Sequence, residues 1–354
     1  MMPMKKFCKF FNLGLWSMLT SLLCIVCIVA TSHSVTYAAS SCTGKNATCS
    51  WHIMKSPNVG QSSNELYSIA TISAHEAWAV GAANAANGQG ETLTEHWNGK
   101  VWSVVPNPKL AASFSFFQGV SALTANNVWA VGTYTNATTS ENQTLVEHWN
   151  GKIWSVVGSP NPTDPYPNGN LDSVVAISTN DVWAVGFYTD TTINAVKTLV
   201  EHWDGHQWSI VSTPNLASYN LFYSITAVSA NNVWAVGSYS SPINGGSLAL
   251  VEHWDGTTWS VVSTPALTSS NNVLLLSISA LSAKDIWAVG SYNTSNYTSN
   301  TLIEHWNGTQ WSVMSSPTFQ TSTTLSGVMA LSKDNVWAVG NSFDSSNPNG
   351  VSAT

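Results

Sequence analysis

Short apolar runs separated by polar turns fill the chain from about residue 51 onward, and the same two patterns keep returning. The run Val/Ile-Trp-Ala-Val-Gly places its tryptophan at Trp78 (after Ala77), Trp129, Trp183, Trp234, Trp287 and Trp337, at spacings of 51, 54, 51, 53 and 50 residues. A second signature, Glu-His-Trp-Asn/Asp-Gly-x-x-Trp-Ser, begins at Glu95, Glu147, Glu201, Glu252 and Glu304. A lone Trp51-His52-Ile53-Met54-Lys55-Ser56-Pro57 matches only the tail of that signature. Self-similarity at this period marks a repeat architecture. Each unit reads as four strands. Strand a resembles Tyr223–Val228, and the polar turn Ser229–Asn232 leads to strand b, Val233–Val236. The unbroken apolar character of strand b suits a strand covered on both faces. Strand c is Leu250–Trp254, the pair Asp255-Gly256 is a hairpin signal, and strand d, Trp259–Val262, ends before a proline that cannot continue a ladder.

A four-stranded antiparallel sheet cannot bury both faces alone, so repeated sheets must stack on one another and close into a ring. The pattern therefore predicts an all-β, six-bladed β-propeller over residues 51–354, with the repeat tryptophans as wedges between blades. The sixth unit has strands a and b but no Leu-Val-Glu-His-Trp after them. Either Val35–Cys42 fills that place beside the Trp51 strand, or the sixth blade is truncated and frayed.

The Trp-Ala-Val-Gly strand, followed by an aromatic-Asp/Asn turn and a Trp opening the outer strand, resembles the bacterial kelch-like propellers of galactose-oxidase type. The resemblance covers residues 51–340. It departs from the kelch pattern in having one glycine after strand b rather than two, and a shorter c–d turn. It implies a propeller, and it makes a copper oxidase worth testing against the inventory. Such an oxidase needs a Cys–Tyr crosslinked ligand, yet the only cysteines beyond residue 38 are Cys42 and Cys49, ahead of the repeats. Sialidase-like propellers use arginine clusters, and this chain has no arginine.

The first 40 residues are of another kind. Lys5, Lys6 and Lys9 precede an apolar stretch from Phe10 to Ala30, and small residues follow at Thr36, Ala38, Ala39 and Ser40. This is the layout of a secretory signal over 1–38, or of an uncleaved signal-anchor, because the stretch is long enough to span a bilayer. Export is expected, to a secreted or cell-surface location, with any membrane contact made by that segment. In an exported chain Cys42 and Cys49 are expected to form a disulfide stapling residues 39–50. Without the signal, eight lysines face eighteen acids, a net charge of −10. An acidic chain without arginine lacks the usual tools of nucleic-acid recognition. No cofactor or metal is expected, and a monomer is expected.

Candidate chemistry divides into repeated and unrepeated residues. The Glu-His pairs carry His96, His148, His202, His253 and His305. Five copies on five blades argue for a structural device, with each His or Glu bonding a polar group of the adjacent blade, since an active site is normally made once. Neighbouring strand residues also point to opposite faces, so the two cannot act jointly on one substrate. The unrepeated acids Glu65, Glu76, Glu91, Glu141, Asp164, Asp172 and Asp190 show no spacing that singles out a catalytic pair. Because strands alternate in direction, the b–c and d–a loops emerge on one face and the short, uniform a–b and c–d turns on the other. The variable loops, such as Tyr134–Asn142, Ser159–Leu171, Ser238–Ser247 and Tyr292–Asn300, concentrate the differences between blades on one face, where function tends to reside. Tyr134, Tyr188, Tyr239 and Tyr292 recur two residues after the strand b glycine, and Phe114, Phe116, Phe117, Tyr166, Tyr219 and Tyr297 add unshared aromatics. These ten residues are the ligand-binding candidates for a glycan or a protein partner, and the expected function is non-catalytic recognition or scaffolding. A carbohydrate-active enzyme, glycosidase or oxidase, is the alternative.

Overall fold

The computed structural model describes residues 24–26, 36–41, 50–59, 63–84, 89–162, 168–242, 245–267, 271–294, 298–317, 322–343 and 351–353. Among these residues every regular element is a β-strand, and strands within each sheet run antiparallel. Five sheets have four strands in the order a-b-c-d. In blade 4 these are Asn220–Ser229, Asn232–Ser240, Ser247–Trp254 and Trp259–Val261. The other inner strands are Ser63–Ser73, Ala112–Thr124, Asn168–Ser178 and Asn271–Ser282, for blades 1, 2, 3 and 5. The inner strands pack side by side in chain order, ending on Ser322–Ser332 of blade 6.

Strands b and c run further than the apolar pattern suggests. In blade 4, Gly237, Ser238, Tyr239 and Ser240 continue the ladder onto Leu250, Ala249, Leu248 and Ser247. Gly237 and Ser238 are buried and Tyr239 and Ser240 partly buried, so backbone pairing continues past the apolar run. The four repeated tyrosines therefore lie within strands rather than in loops.

The core is a series of slabs between consecutive blades. One slab joins Trp183, Val185 and Val200 of blade 3 to Phe222, Ile225, Val233, Leu250 and Trp259 of blade 4. Four of the strand b tryptophans each reach two tryptophans of the next blade. Trp183 lies 5.0 Å from Trp254 and 5.7 Å from Trp259, and Trp78, Trp129 and Trp234 repeat the arrangement. Serine hydroxyls stitch the inner strands together. Ser68 accepts from the Val120 backbone N–H, Ser173 from Ile225, Ser224 from Ile278 and Ser277 from Val328.

The chain's two ends form three-stranded sheets. Ser50–Lys55 pairs with Thr36–Ser41, which pairs in turn with Cys24–Val26. In blade 6 the third strand is Val351–Ala353, paired with Asn335–Phe343. The N-terminal strand thus finds its c-like partner in Thr36–Ser41, and it is not hydrogen-bonded into the blade 6 sheet. It still faces blade 1 as a strand d faces the next blade. Ser56, just beyond it, donates to Glu95 at 2.6 Å, as Asn107 donates to Glu147 at 2.9 Å and Ser159 to Glu201 at 2.6 Å. Met54 packs on the blade 1 core. Cys42 and Cys49, and most of the segment read as an export signal, lie outside the described residues.

Candidate functional site

The turn face is built the same way in every complete blade. The Asn or Asp that opens the c–d turn caps it, with Asp255 Oδ1 accepting from the N–H groups of Thr257 at 2.8 Å and Thr258 at 2.9 Å. Gly256 follows at φ 97°, a backbone conformation that suits glycine. The histidine of strand c stacks on its own blade's strand b tryptophan, as His202 does on Trp183 at 4.1 Å. His148, His202, His253 and His305 each place Nε2 2.9–3.0 Å from the Asn or Asp that opens strand b. His96 faces Glu76 at 3.4 Å. Each histidine thus finds these partners in its own blade, not in the neighbouring one. The five glutamates beside them are fully buried. Burial raises their carboxyls, to about 7 at Glu95, Glu147 and Glu304 and to about 8 at Glu201 and Glu252. The bonds from Ser56, Asn107 and Ser159 pull the other way at the three glutamates they reach.

The other face opens onto the axis. Each inner strand carries a one-residue bulge, read from the register breaks Leu66/Ser68, Phe117/Gly119, Leu171/Ser173, Phe222/Ser224, Leu275/Ser277 and Leu325/Gly327. The extra residues are Tyr67, Gln118, Asp172, Tyr223, Leu276 and Ser326, and all six line one cavity of about 990 Å³. A bulge turns its strand locally and aims the added side chain. It also explains the glycine that closes each Val/Ile-Trp-Ala-Val-Gly run. Gly237 sits opposite the break, and a Cβ there would lie 1.9 Å from the Leu221 carbonyl oxygen. The same collision would occur at the corresponding glycine of the other five blades.

Above the bulge layer, toward the loop face, the cavity is walled by Phe114, Phe116, Phe187, Asn142, Asn168, Asn170, Thr133, Thr135 and Thr189. Phe114, Phe116 and Tyr67 form a file of edge-to-face rings, with centroids 5.5 Å and 6.4 Å apart. Phe114, at the outer end, is 37% exposed. Asp172 is the one carboxylate among the described lining residues. Its Oδ1 accepts from Asn170, while its Oδ2 is shut off from water without a hydrogen-bond partner. Burial raises this carboxyl to about 7, against the opposing pull of Asn170 and Gln118. The Tyr67 hydroxyl donates to Glu65 and is held well above the usual phenol range by burial and by that acid. Tyr223 is raised by burial and by the Asp172 charge, with Ser238 opposing.

Of the sequence candidates, Phe114 and Phe116 line the cavity. Phe117 does not: it is fully buried in the slab between blades 1 and 2, because neighbouring strand residues point to opposite faces. Tyr134, Tyr188, Tyr239 and Tyr292 pack against the interblade slabs rather than lining the cavity. Tyr219 is 50% exposed at the start of blade 4's inner strand and is not a cavity residue. Tyr166 and Tyr297 lie outside the described residues, as does Asp164. Asp190 is engaged by Lys197 at 2.7 Å. Sequence reasoning missed Tyr67, Gln118, Phe187 and Tyr223 as site residues. For Tyr67, Gln118 and Tyr223 the signal was present in the repeats as the single variable position between a Leu/Phe and a Ser/Gly that recur in every blade.

No protein-family model matches the chain. No curated protein matches it either. Among solved structures it is similar to a polysaccharide lyase, a PL25 ulvan lyase bound to a GlcA–Rha3S glycan. The TM-score is 0.50 at 11% identity, over 81% of this chain and 74% of that one. The chain is a β-propeller repeat protein. Two looser likenesses are the fucose-specific lectin of Aleuria aurantia, with TM-score 0.45, 13% identity and coverage of 81% and 93%, and YCF48 bound to a D1 peptide, with 0.42, 14%, 78% and 88%. At these identities the propeller's neighbours speak to its fold.

Proposed function

We propose that this chain is an exported, non-catalytic propeller of kelch-like type that recognises a glycan through the axial cavity on its loop face. The observation that carries this reading is the file Phe114–Phe116–Tyr67, three aromatic rings along a cavity wall with the outermost ring reaching solvent. Sugar rings stack their C–H faces on such surfaces, and Asn142, Asn168, Gln118 and Thr189 supply hydrogen-bonding groups around them. The cavity volume is that of an ordinary small-ligand site. The signal-like segment 1–38 supports export, and the Trp-Ala-Val-Gly strand followed by an aromatic-Asp/Asn turn and a Trp opening the outer strand supports the kelch-like assignment.

A protein partner on the same face is the second reading of recognition. The enzymatic alternative would use Asp172 as a general acid, since its carboxyl is raised to about 7. Hydrolysis by the paired-carboxylate route requires a second acid facing it across the substrate.

The test is a glycan array probed with the purified protein and with Phe116→Ala. Selective binding by the parent, lost in the variant while its melting temperature holds within a few degrees, supports the reading. Folded protein that binds no glycan overturns it in favour of a protein partner. Saturable release of reducing ends, abolished by Asp172→Asn, would make it an enzyme.

A further inference from the structure

We infer that the ligand of the axial cavity is a cationic amino-sugar glycan, whose ammonium group is received by Asp172 while its rings stack on Phe116 and Phe114. This rests on the glycan reading above and deepens it.

Asp172 stands in the bulge of blade 3's inner strand and belongs to no repeat device, because the other five bulges hold Tyr67, Gln118, Tyr223, Leu276 and Ser326. Asn170 donates to Oδ1 and the Gln118 amide also acts on this carboxyl, while Oδ2 itself has no hydrogen-bond partner. A buried acceptor without a donor is costly to the fold unless a ligand supplies the missing partner. No lysine or histidine lies among the described lining residues, so the protein's own side chains there offer no counter-charge. Sharing the cavity with the acid are the rings of Phe116, Phe187 and Tyr223 and the amides of Gln118 and Asn170. A carboxylate that shares a cavity with aromatic rings can hold an organic ammonium, by a charge-assisted hydrogen bond and by cation–π attraction. An arriving cation would also reverse the effect of burial on this carboxyl. Of ligands that stack on rings, an amino sugar with a free amine offers both groups within one residue. A neutral sugar can donate a hydroxyl to that oxygen but brings no positive charge to balance the buried acid, and a carboxylated one is repelled by it.

The experiment is calorimetric titration of the purified protein just below neutral pH and at physiological salt, with a glucosamine tetramer and with its fully N-acetylated counterpart. The inference requires the free-amine tetramer to bind at least about tenfold tighter. Asp172→Asn should bring its affinity down to that of the acetylated form, while Phe116→Ala weakens both tetramers together. A preference that survives Asp172→Asn would be diffuse attraction to an acidic protein, and it overturns the assignment. Equal binding of the two tetramers overturns it as well, leaving the glycan reading intact. A folded protein that binds neither tetramer but does bind neutral glycans on the array removes the amine alone. If no glycan binds, the reading beneath it falls too. A lysine peptide that outcompetes the glucosamine tetramer, with the effect lost in Asp172→Asn, moves the ammonium onto a protein and overturns the glycan assignment. The melting temperature of Asp172→Asn should stay at or above that of the parent, since the amide keeps the shape and removes a buried ionisable group.

Discussion

The two faces of this propeller are made from the same strands by opposite rules. On the turn face each complete blade repeats one set of bonds: a capped c–d turn, a glycine at positive φ, and a histidine stacked on tryptophan. On the loop face the six bulge residues are Tyr, Gln, Asp, Tyr, Leu and Ser. Repetition on one side holds the sheets in a common geometry, and that geometry delivers six side chains of five kinds to one place on the other. Stability and recognition are therefore separable by mutation, and the separation can be tested.

The largest effect is expected at the tryptophan wedges. Trp183→Ala removes a buried ring that touches two tryptophans of blade 4, and should cost roughly 3–5 kcal/mol in urea unfolding. Trp287 is only half-buried, and its described ring contact is His305 of its own blade. Trp287→Ala should cost less than half as much. Equal losses would mean that the interblade tryptophan pairs add nothing beyond local burial.

A smaller effect should appear in the pH dependence. The buried strand c glutamates have carboxyls raised from 4.5 to about 7 or 8 in the folded protein, so folding takes up protons. Their contribution is full below about pH 4.5 and is lost as pH rises through about 7 to 8. The melting temperature should therefore fall between mildly acidic and mildly alkaline buffer. Glu252 has no hydrogen-bond partner on either oxygen, so Glu252→Gln loses no bond and should flatten that fall. One linked proton corresponds to a slope of about 1.4 kcal/mol per pH unit, so the part of the fall carried by Glu252 alone is a few kcal/mol at most. A variant with the parent's full slope would show that Glu252 stays ionised.

The smallest effects compare glycines. Gly256→Ala puts a Cβ 2.8 Å from the Asn231 side chain at a positive φ, and should cost about 1–3 kcal/mol. At Gly158, in the d–a connection of blade 2, an added Cβ would have nothing within 4 Å, and φ is not positive. Gly158→Ala should change unfolding by no more than about 0.5 kcal/mol. Similar losses at both sites would erase the distinction between an imposed turn and a permissive loop.

The repeat tryptophans, the hairpin glycines and the four-strand unit were legible because each is written several times, and a repeated residue must answer a repeated need. The end sheets were harder. Thr36–Ser41 is a strand whose partner lies beyond a cysteine-bearing segment, and its polar sequence, Thr-Tyr-Ala-Ala-Ser-Ser, carries no apolar alternation. The site was half legible. Phe114 and Phe116 stood out as aromatics that other blades lack, but Phe117 beside them could not be told apart without knowing the phase of the strand. Tyr67 and Tyr223 were hidden because a bulge breaks the alternation on which such a reading depends. The glycine of each Trp-Ala-Val-Gly run reported that break, yet it reads as an ordinary strand end until its partner carbonyl is located.

The bulge also decouples two kinds of change. Its residue takes no place in the pairing between strands a and b, so altering it leaves the ladder's partners and register in place. Each blade thus carries one letter that can be rewritten without editing the grammar around it. The six positions 67, 118, 172, 223, 276 and 326 form a short word facing a single chamber. A library varied at those codons alone would sample new ligands on an unchanged frame, and the same independence lets duplicated blades diverge in what they hold while remaining interchangeable in how they stack.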